Sequence, residues 1–326
     1  MFSRNMLTGM LMLVGVFLSG CDKSDNTQGV TTHNQEHLEE RNSSQAEIEK
    51  YNIYVEAANR GGDFVTTLEK RRAEYSETLA SEKKLTSYYM FSGYDISILQ
   101  DNLNKALELS YPMPELDEPA KGMLVALAKL QPVHAELANY ANSKGYLSDD
   151  GKKAREMEPL LDAALEAVAV EQAKFYAGIN KLDEINTQTA FDSAEKDSLG
   201  YYRAGIVLYA KQSVRLSGDF FQSSGAQEAT KHFEDSLNKT AQMIEGWDKK
   251  GKAQTPALKC SVLLSDLNRF VGKGREAINT ARSGGYKPDE QRQMMWKMNN
   301  PIERDAKTFG QSFDSVINGL NRTTCI

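Results

Sequence analysis

The sequence predicts an all-α fold of antiparallel helical bundles, about eight helices in all, with length enough for two packed helical subdomains. Three observations lead there. Beyond residue 43, apolar residues recur at spacings of three and four along almost every segment. Runs of valine or isoleucine are few, and the chain has only 8 prolines, which argues against a mainly β protein. Glycine pairs and Ser, Asp or Asn caps punctuate the segments at short intervals.

Taken in order, the first helix opens on a capping box, Ser44 with Glu47. It carries Ile48, Tyr51, Val55 and Ala58 on one face and stops at Gly61-Gly62. A helix near 63–90 follows, then a tyrosine-rich break, then a helix near 95–109 that the Pro112-Met113-Pro114 segment ends. Further helices are predicted near 117–143, 152–187, 191–217, 226–249 and 256–281, with a short one near 288–298. Asp149 and Asp150 can cap the long helix, whose buried side would hold Met157, Leu161, Leu165, Val168, Phe175, Ile179 and Leu182. Thr255-Pro256 starts the helix that carries Leu263, Leu267, Phe270, Ala277 and Ile278, and Gly284-Gly285 follows its end. The last helix has Asn300 and Glu303 as a capping box with Pro301 at its first position, where the missing N–H costs nothing. Its seam, Ile302, Ala306, Phe309, Phe313, Val316 and Leu320, requires a partner helix. The stretch from Pro112 to Pro119 is the best internal break, and no fixed-period repeat points to a solenoid.

Ahead of this body lies a different kind of sequence. Arg4 precedes the apolar run Met10 to Leu18, which meets the small residues Ser19 and Gly20: the pattern of an export signal over residues 1–20. The run is shorter than the roughly 20 apolar residues a spanning helix needs, and Asp22, Lys23 and Asp25 follow at once. The quartet Leu18-Ser19-Gly20-Cys21 resembles the lipobox of bacterial lipoproteins, which implies that Cys21 is acylated and carries the mature chain on a lipid bilayer. Asp22 resembles the signal that retains such proteins in the inner membrane. Residues 21–42 then read as the lipidated cysteine and a flexible polar tether, too poor in large apolar residues to offset its ordering entropy. His33 and His37 stand at helical i, i+4 spacing in this tether without further ligands, and two solvated histidines are preferred to a metal site.

Once residues 1–20 are removed, 38 basic residues face 45 acidic ones, and the two signs are mixed along the chain. There is no basic stripe for nucleic acid. With Cys21 assigned to lipid, Cys260 and Cys325 remain as an even pair in an oxidising compartment. Two readings stand: a bridge that pins the C-terminus, or two separate thiols.

Chemistry-bearing motifs are scarce. No Gly-rich phosphate loop, His-Glu-x-x-His, Gly-x-Ser-x-Gly or Cys-His zinc spacing occurs, so no catalytic residue, metal or cofactor is expected. His134 has Glu136 two residues on and His232 has Glu228 one turn before it; surface Glu-His contacts are the preferred reading of both. Gly272-Lys273-Gly274-Arg275 sits inside a helical pattern, where small residues permit close helix packing. Tyr88, Tyr89, Phe91 and Tyr94 cluster at a helix break, and Tyr201 and Tyr202 form a pair. Such side chains line glycan and peptide grooves, although they more often fill irregular core junctions. The run Met294-Met295-Trp296-Lys297-Met298 reads as adaptable core packing or a partner surface.

The lipobox, the polar stretch after it, the early Lys50-Tyr51-Asn52-Ile53-Tyr54-Val55 and the closing Phe313-Asp314-Ser315-Val316-Ile317-Asn318-Gly319-Leu320-Asn321 together resemble the YiiG-type lipoproteins of enteric bacteria. That resemblance would cover nearly the whole chain, implies a helical body, and implies no catalytic residues. The expectation is a periplasmic helical domain over residues 43–326, held on the inner membrane, that binds another periplasmic protein or an envelope polymer without catalysis. The competing expectation is an envelope hydrolase that uses scattered Asp and Glu residues in a helical cleft.

Overall fold

The computed structural model describes residues 33–81, 84–287 and 300–322. Among these residues the secondary structure is helical, with no strand: α1 (His33–Arg60), α2 (Phe64–Ala80), α3 (Tyr94–Glu108), α4 (Pro114–Asn142), a 3-10 turn (Gly145–Leu147), α5 (Lys152–Ser193), α6 (Leu199–Gln222), α7 (Gln227–Lys252), α8 (Ser261–Arg282) and α9 (Pro301–Leu320). The chain is an all-α helical bundle protein, as its periodicity predicts.

Several boundaries differ from the sequence reading. The first helix begins at His33, so Ser44 lies inside it and residues 33–42 are helical instead of coil. Gln35, Glu36, Leu38, Glu39, Glu40 and Arg41 are strong helix formers, and a tract need not bury apolar surface if it extends a helix already nucleated downstream. The expected helix over 63–90 ends at Ala80, and residues 84–92 run as an extended strap. The helix expected from Thr255-Pro256 starts at Ser261, and the Thr255–Pro256 bond is cis. The predicted helix over 191–217 divides differently: α5 continues to Ser193, and Ser198 caps α6 by accepting from the Tyr201 N–H at 3.0 Å.

Two compact units divide the chain, and the cut falls inside α5 between Leu182 and Asp183. The break expected at 112–119 is not a division; Pro119 and Pro132 lie within the continuous α4.

In the first unit, through Leu182, α1 packs on α3 and α3 on α4. Gly61 ends α1 as predicted, and a side chain there would collide with the Ala57 carbonyl oxygen and Leu99. Gln172 on α5 joins the turn between α1 and α2, accepting from the Phe64 N–H (3.0 Å) and donating to the Gly62 carbonyl (2.8 Å). Asp149 caps α5 by accepting from the Lys153 N–H at 3.1 Å. Leu161, Leu165, Val168, Phe175 and Ile179 are buried along α5, as predicted, while Met157 and Leu182 are half-buried.

The second unit, from Asp183, pairs α6 with α7 and α8 with α9. Asn300 caps α9 through the Ile302 N–H (3.0 Å), and its amide donates to Glu303. The seam finds its partner in α8: Phe309 stacks on Phe270 at 4.8 Å and meets Phe233 at 5.2 Å, and Val316 and Leu320 are buried. Gly274 is the small residue that lets this happen, since a Cβ there would stand 2.5 Å from Leu237 and 3.2 Å from Phe309. Gly272 plays no such part; the space beside it is open.

Candidate functional site

The strap over residues 84–92 is where the first unit presents aromatic side chains. Ser87, Tyr88 and Tyr89 are poor helix formers with polar tips, and three helices supply partners for exactly the groups an extended backbone exposes.

Tyr88 turns inward. Its hydroxyl donates to Glu158 on α5 (2.7 Å) and accepts from Arg71 on α2 (3.2 Å), and its ring meets Tyr75 at 5.2 Å and Tyr140 at 6.0 Å. Arg71 is itself buried and holds Glu158 through two bonds of 3.0 and 2.8 Å. Burial, then the Glu158 hydrogen bond, pushes the Tyr88 phenol well above its ordinary range. The backbone of Tyr89 is held from both sides, its carbonyl by Arg71 (2.7 Å) and its N–H by the Tyr75 hydroxyl (2.9 Å). Further along, the Phe91 carbonyl lies 2.9 Å from His134 Nε2, and the Phe91 ring packs on the imidazole at 4.5 Å and edge-on to Phe64.

His134 is therefore a buried strap clamp, 6% exposed, and not the surface Glu-His contact expected from sequence; Glu136 pairs with Lys153 instead. His232 is the surface contact predicted, with Nε2 3.7 Å from Glu228 and both side chains exposed. The sequence signal for His134 was present in its spacing, since Leu127, Leu130, His134 and Leu137 all lie on the buried side of α4.

What the strap leaves outside is Tyr89, 66% exposed, and Tyr94, 68% exposed. Tyr88 is core and Phe91 is half-buried, so the six aromatic candidates do not form one surface. Tyr201 and Tyr202 belong to the second unit, where Tyr201 stacks on Phe191 at 4.8 Å and the Tyr202 hydroxyl donates to Asp197 at 2.8 Å. Tyr89 and Tyr94 are thus two amphipathic rings beside a backbone that hydrogen bonds hold in place. That geometry can bind by stacking and by phenol hydrogen bonds, with little conformational entropy lost.

In the second unit, α8 and α9 flank an open polar groove of about 440 Å³, lined by Lys273, Glu276, Asn279, Arg304, Asp305 and Thr308 among others. Its carboxylates already have partners: Glu276 is bonded by Lys273 (2.7 Å), and Asp305 by Arg304 (2.9 Å) and the Tyr286 hydroxyl (2.9 Å). Among the described residues no group of three or more His, Cys, Asp or Glu side chains is placed to hold a metal ion, and no helix is long and apolar enough to cross a membrane.

Cys260 is disulfide-bonded and buried at the start of α8. Cys21, Asp22, Cys325 and the Met294–Met298 run lie outside the described residues.

A helical body with a fixed aromatic strap defines the class as an all-α bundle protein. More particularly, the chain belongs to the family described as "Protein of unknown function (DUF3829)", whose model matches residues 45–322. Neither a curated protein nor a solved structure matches the chain.

Proposed function

We propose that this chain is a YiiG-type, lipid-anchored protein of the cell envelope, whose helical body acts as a non-catalytic binding or scaffolding module on the periplasmic face of the inner membrane. The observation that carries the reading is Leu18-Ser19-Gly20-Cys21, a lipobox at the end of a short apolar run and directly before a polar stretch. Two further facts support it. The family match begins at residue 45, which leaves residues 1–44 free to serve as a leader and anchor. A disulfide at Cys260 suits an oxidising compartment. The exposed rings of Tyr89 and Tyr94 are the side chains best placed to meet a periplasmic protein or an envelope polymer.

The test is fractionation of cells that carry the full chain, with mass analysis of its N-terminal peptide. The wild-type protein should sediment with inner membrane and begin at an acylated Cys21. Cys21→Ser should abolish acylation and release the body to the soluble fraction; a variant that stays on the membrane sinks the anchor. Asp22→Ser should move the protein toward the outer-membrane fraction. For the binding part, a photocrosslinking side chain at Tyr89 or Tyr94 should give a discrete adduct that the equally exposed Val262 position does not. Identical adduct patterns at all three positions would remove the strap from the proposal.

A further inference from the structure

We infer that the disulfide partner of Cys260 is Cys325, so that the end of the chain is tied covalently to the start of α8 and the second unit gains stability where thiols are oxidised.

The register of two helices supports this. Phe270 meets Phe309 at 4.8 Å and Phe313 at 5.8 Å, and a Cβ on Gly319 would stand 2.8 Å from Leu263. As α8 is followed backward from 270 to 263, its contacts move forward along α9 from 309 to 319. The helices are antiparallel, and α9 ends beside the beginning of α8. Cys260 precedes Leu263 by three residues, about 4.5 Å along the axis, in the direction α9 is travelling when it stops at Leu320. Arg322 lines one small cavity with Leu263 and Gly319, Cys325 comes three residues after it, and three residues of chain span up to about 10 Å, more than the Cα separation of roughly 4.4–6.8 Å that a disulfide needs. Cys21 is the only other cysteine in the sequence. The inference rests on the proposed anchor at one point: acylation removes Cys21 as a competitor and export supplies the oxidant.

The bond forms by exchange. One thiolate attacks the disulfide of a dithiol-type oxidant, and the second displaces the oxidant's sulfur. The S–S bond then belongs to the protein, and the oxidant leaves as a dithiol with the two protons. The closed loop contains α8, α9 and the chain between them, so the crosslink restricts the unfolded state of that helix pair in particular.

Peptide mapping of the full chain, taken from envelopes into an alkylating agent and digested with trypsin without reduction, tests the pairing. Cleavage after Lys259, Arg269 and Arg322 should give residues 260–269 joined to 323–326, separating on reduction, from a protein that migrates as a monomer. Free alkylated Cys260, a 260–269 peptide joined to the Cys21 peptide, or a covalent dimer would each overturn the inference. The N-terminal peptide reports acylation of Cys21 separately, so a failed anchor and a failed bridge give different spectra. Cys260→Ser and Cys325→Ser should each lower the thermal midpoint by roughly 10 °C, and the double variant by no more than either single one. Unequal or additive losses would count against a shared bond. If a variant does not accumulate, mapping of the wild-type protein still decides.

Discussion

A buried ammonium group has three hydrogens to satisfy, and Lys50, 2% exposed, places them on the carbonyls of Leu109 (3.2 Å) and Tyr111 (2.7 Å) and on Asp117 (2.8 Å). Asp117 also accepts from the Tyr54 hydroxyl (2.6 Å) and the Met113 N–H (3.0 Å). Burial alone would raise its pKa, but the bonds from Lys50, Tyr54 and Met113 outweigh burial and hold it below the usual carboxylate range. A carboxylate whose pKa is lowered by folding adds stability above its unfolded pKa, and that stability is lost as the pH falls through its folded one. Lys50→Met should therefore cost about 3–5 kcal/mol at neutral pH by leaving a buried charge without its partner. The loss should shrink in acid, which urea titrations at pH 7 and pH 3 would read. Asp314 is the opposite case. Its Oδ1 is buried with no hydrogen-bond partner, and burial raises its pKa. Ionisation then opposes folding as the pH rises through the folded value. Asp314→Asn should stabilise by about 1 kcal/mol at pH 7 and have little effect in acid, where the carboxyl is already neutral. A thermal melt showing equal gains at both pH values would contradict this account. Lys50 and Asp314 were visible in sequence only as members of short patterns; their opposite situations depend on groups more than fifty residues away or on the absence of any.

At the scale of elements, two glycines of one tetrapeptide separate packing from propensity. Gly272 and Gly274 are both in α8, yet only Gly274 faces Leu237 and Phe309. Gly274→Ala should cost about 1–3 kcal/mol by overpacking the α8–α9 seam. Gly272→Ala should gain about 0.5–1 kcal/mol from helix propensity alone. Chemical denaturation of the two variants compares them directly, and the same sign for both would refute the packing assignment. The seam of α9 was legible because a 3.6-residue period survives in any amphipathic helix, and its Asn300 cap was legible because capping is local. The end of α2 was not. Nothing in residues 81–92 forbids another helical turn as strongly as proline would, and the extended path of residues 84–92 is chosen by Arg71 and Tyr75 on α2 itself, His134 on α4 and Glu158 on α5. The start of α1 at His33 is hidden in the sequence for the converse reason: a polar composition that suits coil also propagates helix.

Across the whole molecule the chain divides into two compact units, and the cut lies inside α5 where periodicity shows no interruption. If the inferred bridge ties α8 to the chain end, reduction should weaken amide protection in residues 183–322 and leave that of residues 45–182 nearly unchanged. Hydrogen exchange followed by mass spectrometry, with and without a reductant, reads this; uniform loss through both spans would disprove a local effect. By itself the sequence determined the fold class, the helix faces, the caps of α5 and α9, and the case for an anchor at Cys21, because periodicity, capping and a leader's apolar length are all local properties of the chain. Tertiary structure alone decided where the chain divides, that Tyr88 and His134 are core while Tyr89 and Tyr94 face outward, and that α9 ends beside Cys260. Those are matters of which distant side chains meet, and a one-dimensional period records which face is apolar without recording what will cover it.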